Sequence, residues 1–137
     1  GNADEIVEAG AHALFFPHGL GHLIGLDVHD MEGLGENNVG YDEQYKRSEQ
    51  FGTSFLRFAK PLQEGITITV EPGIYFIPQL IDLWKKEKRF IDFINYENIN
   101  KYRNFGGIRI EDNVVITSQG YRILGKPIPK NIDEIEI

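Results

Sequence analysis

Residues 66–71 read Ile-Thr-Ile-Thr-Val-Glu, a strict alternation that puts Ile66, Ile68 and Val70 on one face of a strand and Thr67, Thr69 and Glu71 on the other. Pro72-Gly73 stops it, because proline has no amide hydrogen to give to a ladder. The strand therefore ends by presenting a carboxylate. Gly106-Gly107 opens a second alternating run, Ile108-Arg109-Ile110-Glu111, which predicts Arg109 and Glu111 on one face. Val114-Val115-Ile116 continues it as a buried strand after Asp112-Asn113, and Gly120 marks the next turn. Around these strands the chain reads as helical in short pieces. Asp4 to Ala13 resembles the remnant of a helix ahead of Pro17, and Leu80/Leu83/Trp84 and Phe90/Phe93/Ile94 predict two short amphipathic helices. Lys85-Lys86-Glu87-Lys88-Arg89 separates them as a solvated face. With 137 residues, 41% of them apolar and no internal repeat, these elements predict one α+β domain over 1–137.

Charge narrows the function. The 14 Lys and Arg against 21 Asp and Glu leave a net charge of -7, a field that repels phosphate backbones and anionic lipid, so neither nucleic acid nor a membrane is expected as a partner. No run approaches the roughly 18 apolar residues of a membrane span, and Asp4, Glu5 and Glu8 contradict the basic start of a secretory signal. A cytoplasmic location is the expectation. The absence of cysteine agrees with a reducing compartment and confines any metal to histidine and carboxylate ligands. The chain begins Gly1-Asn2-Ala3 and its single methionine is Met31, so it reads as a processed or excised piece of a longer protein.

Three of the 4 histidines, His18, His22 and His29, fall in one short glycine-rich stretch where a regular helix is not expected. The spacing of His18 and His22 invites comparison with the helical zinc motif H-E-x-x-H, but Gly19 replaces its glutamate and Gly21 opposes its helix. The histidines are therefore expected to hold separate posts. Taken singly, each candidate has an ordinary structural role: a satisfied histidine, a solvated Glu71, an ion pair of Arg109 with Glu111. Taken together, a nitrogen donor, two carboxylates from separate strands, two further histidines and an arginine suit an oxygen-rich divalent metal site with catalytic surroundings.

The strings Pro17-His-Gly-Leu-Gly-His-Leu-Ile-Gly-Leu-Asp-Val-His29-Asp, Thr69-Val-Glu-Pro-Gly-Ile-Tyr-Phe76 and Gly106-Gly-Ile-Arg-Ile-Glu111-Asp closely resemble, in this order, the metal-binding half of the pita-bread metallopeptidases, the group of prolidase and aminopeptidase P. The insertion between Glu71 and Glu111 and the closing Pro129-x-x-Ile-Asp-Glu-Ile-Glu136 are similar to prolidase. The resemblance implies the C-terminal portion of that fold, a curved and mostly antiparallel sheet with flanking helices. It implies a dinuclear site in which His22, Glu71 and Glu111 match three of five ligands, while the two aspartates belong to an upstream lobe that nothing here matches. Two Mn²⁺-type ions, with Co²⁺ or Zn²⁺ possible, would then hold a hydroxide that attacks the carbonyl before proline, with Glu71 as proton shuttle. His18 and His29 would contact substrate and stabilise the tetrahedral intermediate, Arg57 would clamp the free carboxylate of a dipeptide, and Arg109 would orient Glu111 or the substrate. A homodimer is implied for the whole enzyme, and inactivity and self-association for this stretch alone. Three other outcomes stay open: aminopeptidase P action on longer peptides, a pita-bread binding module without catalysis, and an unrelated mononuclear hydrolase built on His22, Glu71 and Glu111.

Overall fold

The computed structural model describes residues 2–136. Its helices are α1 (Ala3–Ala9), α2 (Glu36–Val39), α3 (Pro78–Lys86), α4 (Tyr96–Ile99) and α5 (Ile132–Ile135), with single 3₁₀ turns between them. Its strands are β1 (Thr67–Val70), β2 (Gly73–Tyr75), β3 (Gly107–Arg109), β4 (Asp112–Thr117) and β5 (Gly120–Ile123). The strands form a three-stranded sheet of order β1-β4-β5 and a two-stranded sheet of β2 with β3, antiparallel in every pairing. Among the described residues no helix is long and apolar enough to cross a membrane.

The chain divides into two compact units. One draws on residues up to His18, on Ser48–Phe55 and on Gly73–Arg109; the other draws on Gly19–Arg47, Leu56–Pro72 and the chain from Ile110 onward. The first unit holds the apolar core, in which Ala11, Ala13, Leu14, Ile81, Trp84, Ile94, Tyr96 and Ile99 are buried together. Its entry helix α1 is fixed by a capping box, with the Asn2 side chain accepting from the Glu5 amide and Glu5 accepting from the Asn2 amide. The helix predicted from Asp4 to Ala13 is shorter than expected, because Gly10 takes a left-handed conformation (φ 89°) that closes α1 at Ala9, and Ala11–Leu14 follow as a 3₁₀ turn.

The reading of two amphipathic helices from Leu80 to Ile94 is also corrected. In α3 the buried positions are Ile81 and Trp84, while Leu83 is 48% exposed. The second helix is absent at Phe90–Ile94: Lys88 (φ 54°) and Phe90 (φ 52°) both turn left-handed, and helix resumes only at α4. The turn is held from inside. The Arg89 guanidinium lies over the Trp84 ring, 4.4 Å from its centroid, and the Arg89 carbonyl accepts from the Tyr96 hydroxyl at 2.7 Å. Arg89 thus leaves the charged run to pack on the core, while its neighbours 85–88 are exposed.

In the second unit the buried side chains are few and largely polar. Tyr41 and Val114 are apolar; His22, Thr69 and Glu71 are not. The polar face of the alternating strand is the one that turns inward, a reversal of the usual half-buried strand. The run Ile108–Glu111 is not one strand, as the alternation predicts: β3 ends at Arg109, and Ile110 and Glu111 lead the chain into β4 in the other sheet.

Candidate metal centre

Backbone pairing on both edges of β1 builds the centre. On one edge β4 runs antiparallel with Thr69 opposite Asn113 and Val70 opposite Asp112, so Glu71 and Glu111 leave the ladder at the same end. On the other edge lies the glycine-rich histidine stretch. The Thr67 carbonyl accepts from the Ile24 amide (3.1 Å), the Thr69 amide donates to the His22 carbonyl (2.9 Å), and the Glu71 amide donates to the Leu20 carbonyl (2.7 Å). Such contact requires glycine between Leu20 and His22, since a Cβ on Gly21 would stand 1.9 Å from the Thr69 carbonyl oxygen.

Thr69, 1% exposed, secures the arrangement from the side chain. Its Oγ1 accepts from the His22 amide at 3.1 Å and donates to Glu71 Oε1 at 3.2 Å. Sequence reasoning placed Thr69 on the Glu71 face without giving it a role. The available signal was a hydroxyl two residues before a carboxylate on one strand face.

His22 Nδ1 donates to the Leu23 carbonyl at 2.8 Å. A carbonyl can only accept, so a hydrogen sits on Nδ1, the tautomer that leaves Nε2 as the nitrogen with which an imidazole would ligate a metal. Nε2 lies 3.3 Å from Glu71 Oε1, with both side chains about nine-tenths buried. One donor atom each from His22, Glu71 and exposed Glu111 fall within 4.8 Å of one another. Buried carboxylate oxygen beside an imidazole nitrogen, open to solvent on the Glu111 side, fits a divalent cation of intermediate hardness.

Beside this centre stands a chain of ion pairs. The His29 ring meets the His22 ring edge to face at 4.4 Å, and His29 Nδ1 is 2.9 Å from Glu32 Oε2. The other Glu32 oxygen bonds Arg57 Nη1, which also donates to Glu36 Oε1 at 2.6 Å. Glu36 Oε2 in turn accepts from Arg47 Nη2 at 2.7 Å. The cavity enclosed by His22, His29, Glu32, Glu36 and Arg57 is about 20 Å³, room for about one water, so these groups are packed against one another. Partial burial pushes the Glu32 carboxyl up, but the hydrogen bond and charge of Arg57, with lesser help from Glu36 and His29, hold it below the ordinary carboxylate value. Neither Glu32 nor Glu36 was singled out from sequence, where acidic residues in a loop read as solvated surface.

Of the seven predicted site residues, His22, His29, Arg57, Glu71 and Glu111 belong to this second unit, and His18 and Arg109 to the first. His18 is flanked edge-on by Phe16 at 4.5 Å and Tyr75 at 5.3 Å. Arg109 closes β3 opposite Gly73 and is exposed.

A histidine and two glutamates gathered this way, on an antiparallel α+β frame, define a metallohydrolase-like centre, and the chain belongs to metallopeptidase family M24, whose model matches residues 1–118. Human Xaa-Pro dipeptidase is 43% identical over 136 residues, which is 99% of this chain and 26% of that protein. The structure of E. coli aminopeptidase P with the inhibitor Pro-Leu superposes with a TM-score of 0.58 at 32% identity, over 99% of this chain and 23% of that one. A zinc-substituted form of the same enzyme in complex with product matches with the same TM-score and identity, over 99% and 22%. The chain therefore spans about a quarter of the relatives it matches. Its fold is a portion of the pita-bread fold.

Proposed function

We propose that the whole protein of which these residues form part hydrolyses the peptide bond preceding proline, in dipeptides by preference, with two divalent cations. The observation that carries this reading is the convergence of His22, Glu71 and Glu111, three residues far apart in sequence, within 4.8 Å. The family resemblance supplies two aspartates from outside residues 1–137, and on this reading those residues belong to one catalytic domain. Mn²⁺-type ions suit the oxygen-rich set, with Co²⁺ or Zn²⁺ as alternatives. Bound cations supply an activated water and draw charge from the scissile carbonyl. The chain's own residues do the rest. Glu71, whose Oε1 already accepts from Thr69, takes a proton from the attacking water and returns it to the leaving nitrogen. His29 and His18 donate to the oxygen on which negative charge develops, Arg57 pairs with the free carboxylate of the product proline, and Arg109 orients the substrate. A cytoplasmic homodimer is the setting this reading carries with it.

In the full-length protein, His22→Ala should weaken Mn²⁺ binding by about 100-fold or more and abolish glycyl-proline hydrolysis, because a direct ligand costs at least as much as its outer partners. Calorimetric titration and a dipeptide assay on the same samples check this; full hydrolysis by the variant would remove the centre from the reaction. The second reading, aminopeptidase action on longer peptides, is favoured by the likeness to aminopeptidase P. Arg57→Ala separates the two. The dipeptidase reading expects KM for glycyl-proline to rise about 10- to 100-fold with little change for a longer peptide, while an unchanged dipeptide KM would favour the aminopeptidase.

A further inference from the structure

Resting on the reading above, we propose that Glu32 is a positioning residue that sets His29 and Arg57 at a fixed separation, so that stabilisation of charge at the scissile carbonyl and recognition of the terminal carboxylate are aligned by one side chain. The two Glu32 oxygens are divided between them, Oε2 on His29 Nδ1 at 2.9 Å and Oε1 on Arg57 Nη1. A carboxylate only accepts, so a hydrogen sits on His29 Nδ1, and Nε2 is the nitrogen left to face the substrate. On the other side, both carboxylates that hold Arg57 do so through Nη1. The Nε–Nη2 edge, the two-donor fork that suits a substrate carboxylate, carries no hydrogen bond to the described residues, and the side chain is 36% exposed.

The bridge is itself anchored. Glu36, the second carboxylate on Arg57, is held by Arg47, whose Nη1 donates to the Leu56 carbonyl at 3.0 Å and whose guanidinium lies 4.5 Å from the centre of the buried Tyr41 ring. Glu32 opens a 3₁₀ turn entered through Met31, a non-glycine residue at φ 60°. A backbone conformation of that kind persists only where its surroundings over-determine it, and here it delivers the carboxylate between the two side chains.

The test uses the full-length protein with glycyl-proline and its C-terminal amide, which lacks the carboxylate that Arg57 reads. Glu32→Ala should lower kcat about tenfold on both substrates, through His29, and raise KM about tenfold on the free acid alone, through Arg57. In an Arg57→Ala background the same change should still lower kcat and add nothing to KM. Glu32→Gln, which keeps one acceptor oxygen, should recover part of the loss. A kcat unchanged in Glu32→Ala, or a KM effect equal on acid and amide, overturns the proposal. Should the parent enzyme cleave neither substrate, the dipeptidase reading is what fails, and the bridge is judged on the metal-free protein by ¹⁵N NMR. The His29 Nδ1–H signal, assigned with His29→Ala, should move or vanish in Glu32→Ala; an unmoved signal rejects the bridge.

Discussion

Gly21→Ala should dismantle the metal centre without altering any group that touches metal or substrate. The new methyl would sit 1.9 Å from the Thr69 carbonyl oxygen and 2.9 Å from its carbon, both rigid backbone, so the histidine stretch must lift away from β1. That movement breaks the bonds of Leu20 to Glu71 and His22 to Thr69, which help put Nε2 of His22 beside Glu71. A loss of about 3 kcal/mol or more in unfolding free energy is expected in the full-length protein, with Mn²⁺ affinity and glycyl-proline turnover lost together. Gly33→Ala is the control, because nothing lies within 4 Å of its new methyl and its φ is not left-handed; it should stay within about 0.5 kcal/mol of the parent. Equal stability and metal affinity for Gly21→Ala and Gly33→Ala would mean that the close backbone pairing does not position His22.

Trp84→Ala should be the most damaging change in the first unit. The indole is 1% exposed, meets the Phe51 ring at 5.8 Å and the Phe90 ring at 5.3 Å, and carries Arg89 on its face. Removing it leaves a cavity that Ile81 and Leu14, both fully buried, cannot fill without leaving their own places. A cost of about 3–5 kcal/mol is expected, read from denaturant unfolding followed by circular dichroism. The Arg89 guanidinium also loses its aromatic partner, and with it the interior hold on the turn at Lys88–Phe90. A cost below about 1 kcal/mol would show that this cluster is not the unit's stabilising core.

How far the sequence could be read depended on whether a residue's role was local. The strand ending at Glu71 was legible because alternation and a following proline are properties of the backbone itself, and β1 lies where they predict. The second amphipathic helix was not legible, because spacing alone cannot reveal that Lys88 and Phe90 turn left-handed under the pull of Trp84 and Tyr96. The break between β3 and Glu111 escaped for a related reason. Alternation continues through Ile110, and only the partners chosen by each strand divide the run between two sheets. In the centre, His22, Glu71 and Glu111 could be named from motif strings, whereas Thr69, Glu32 and Glu36 act through contacts with residues that loops bring to them. A carboxylate in a polar loop carries no sign in its neighbours that an arginine will fold onto it.

The order in which β1 finds its two neighbours bears on how such a centre is born. Growing from a ribosome at roughly 5–20 residues per second, the chain releases His22 first, then β1 with Glu71, and Glu111 several seconds after His22. The histidine stretch can dock on β1 before β4 exists, so the nascent chain can bring His22 and Glu71 together while Glu111 is still being made. During that interval the centre lacks one of its carboxylates, and its donor set is complete only once translation has passed Glu111.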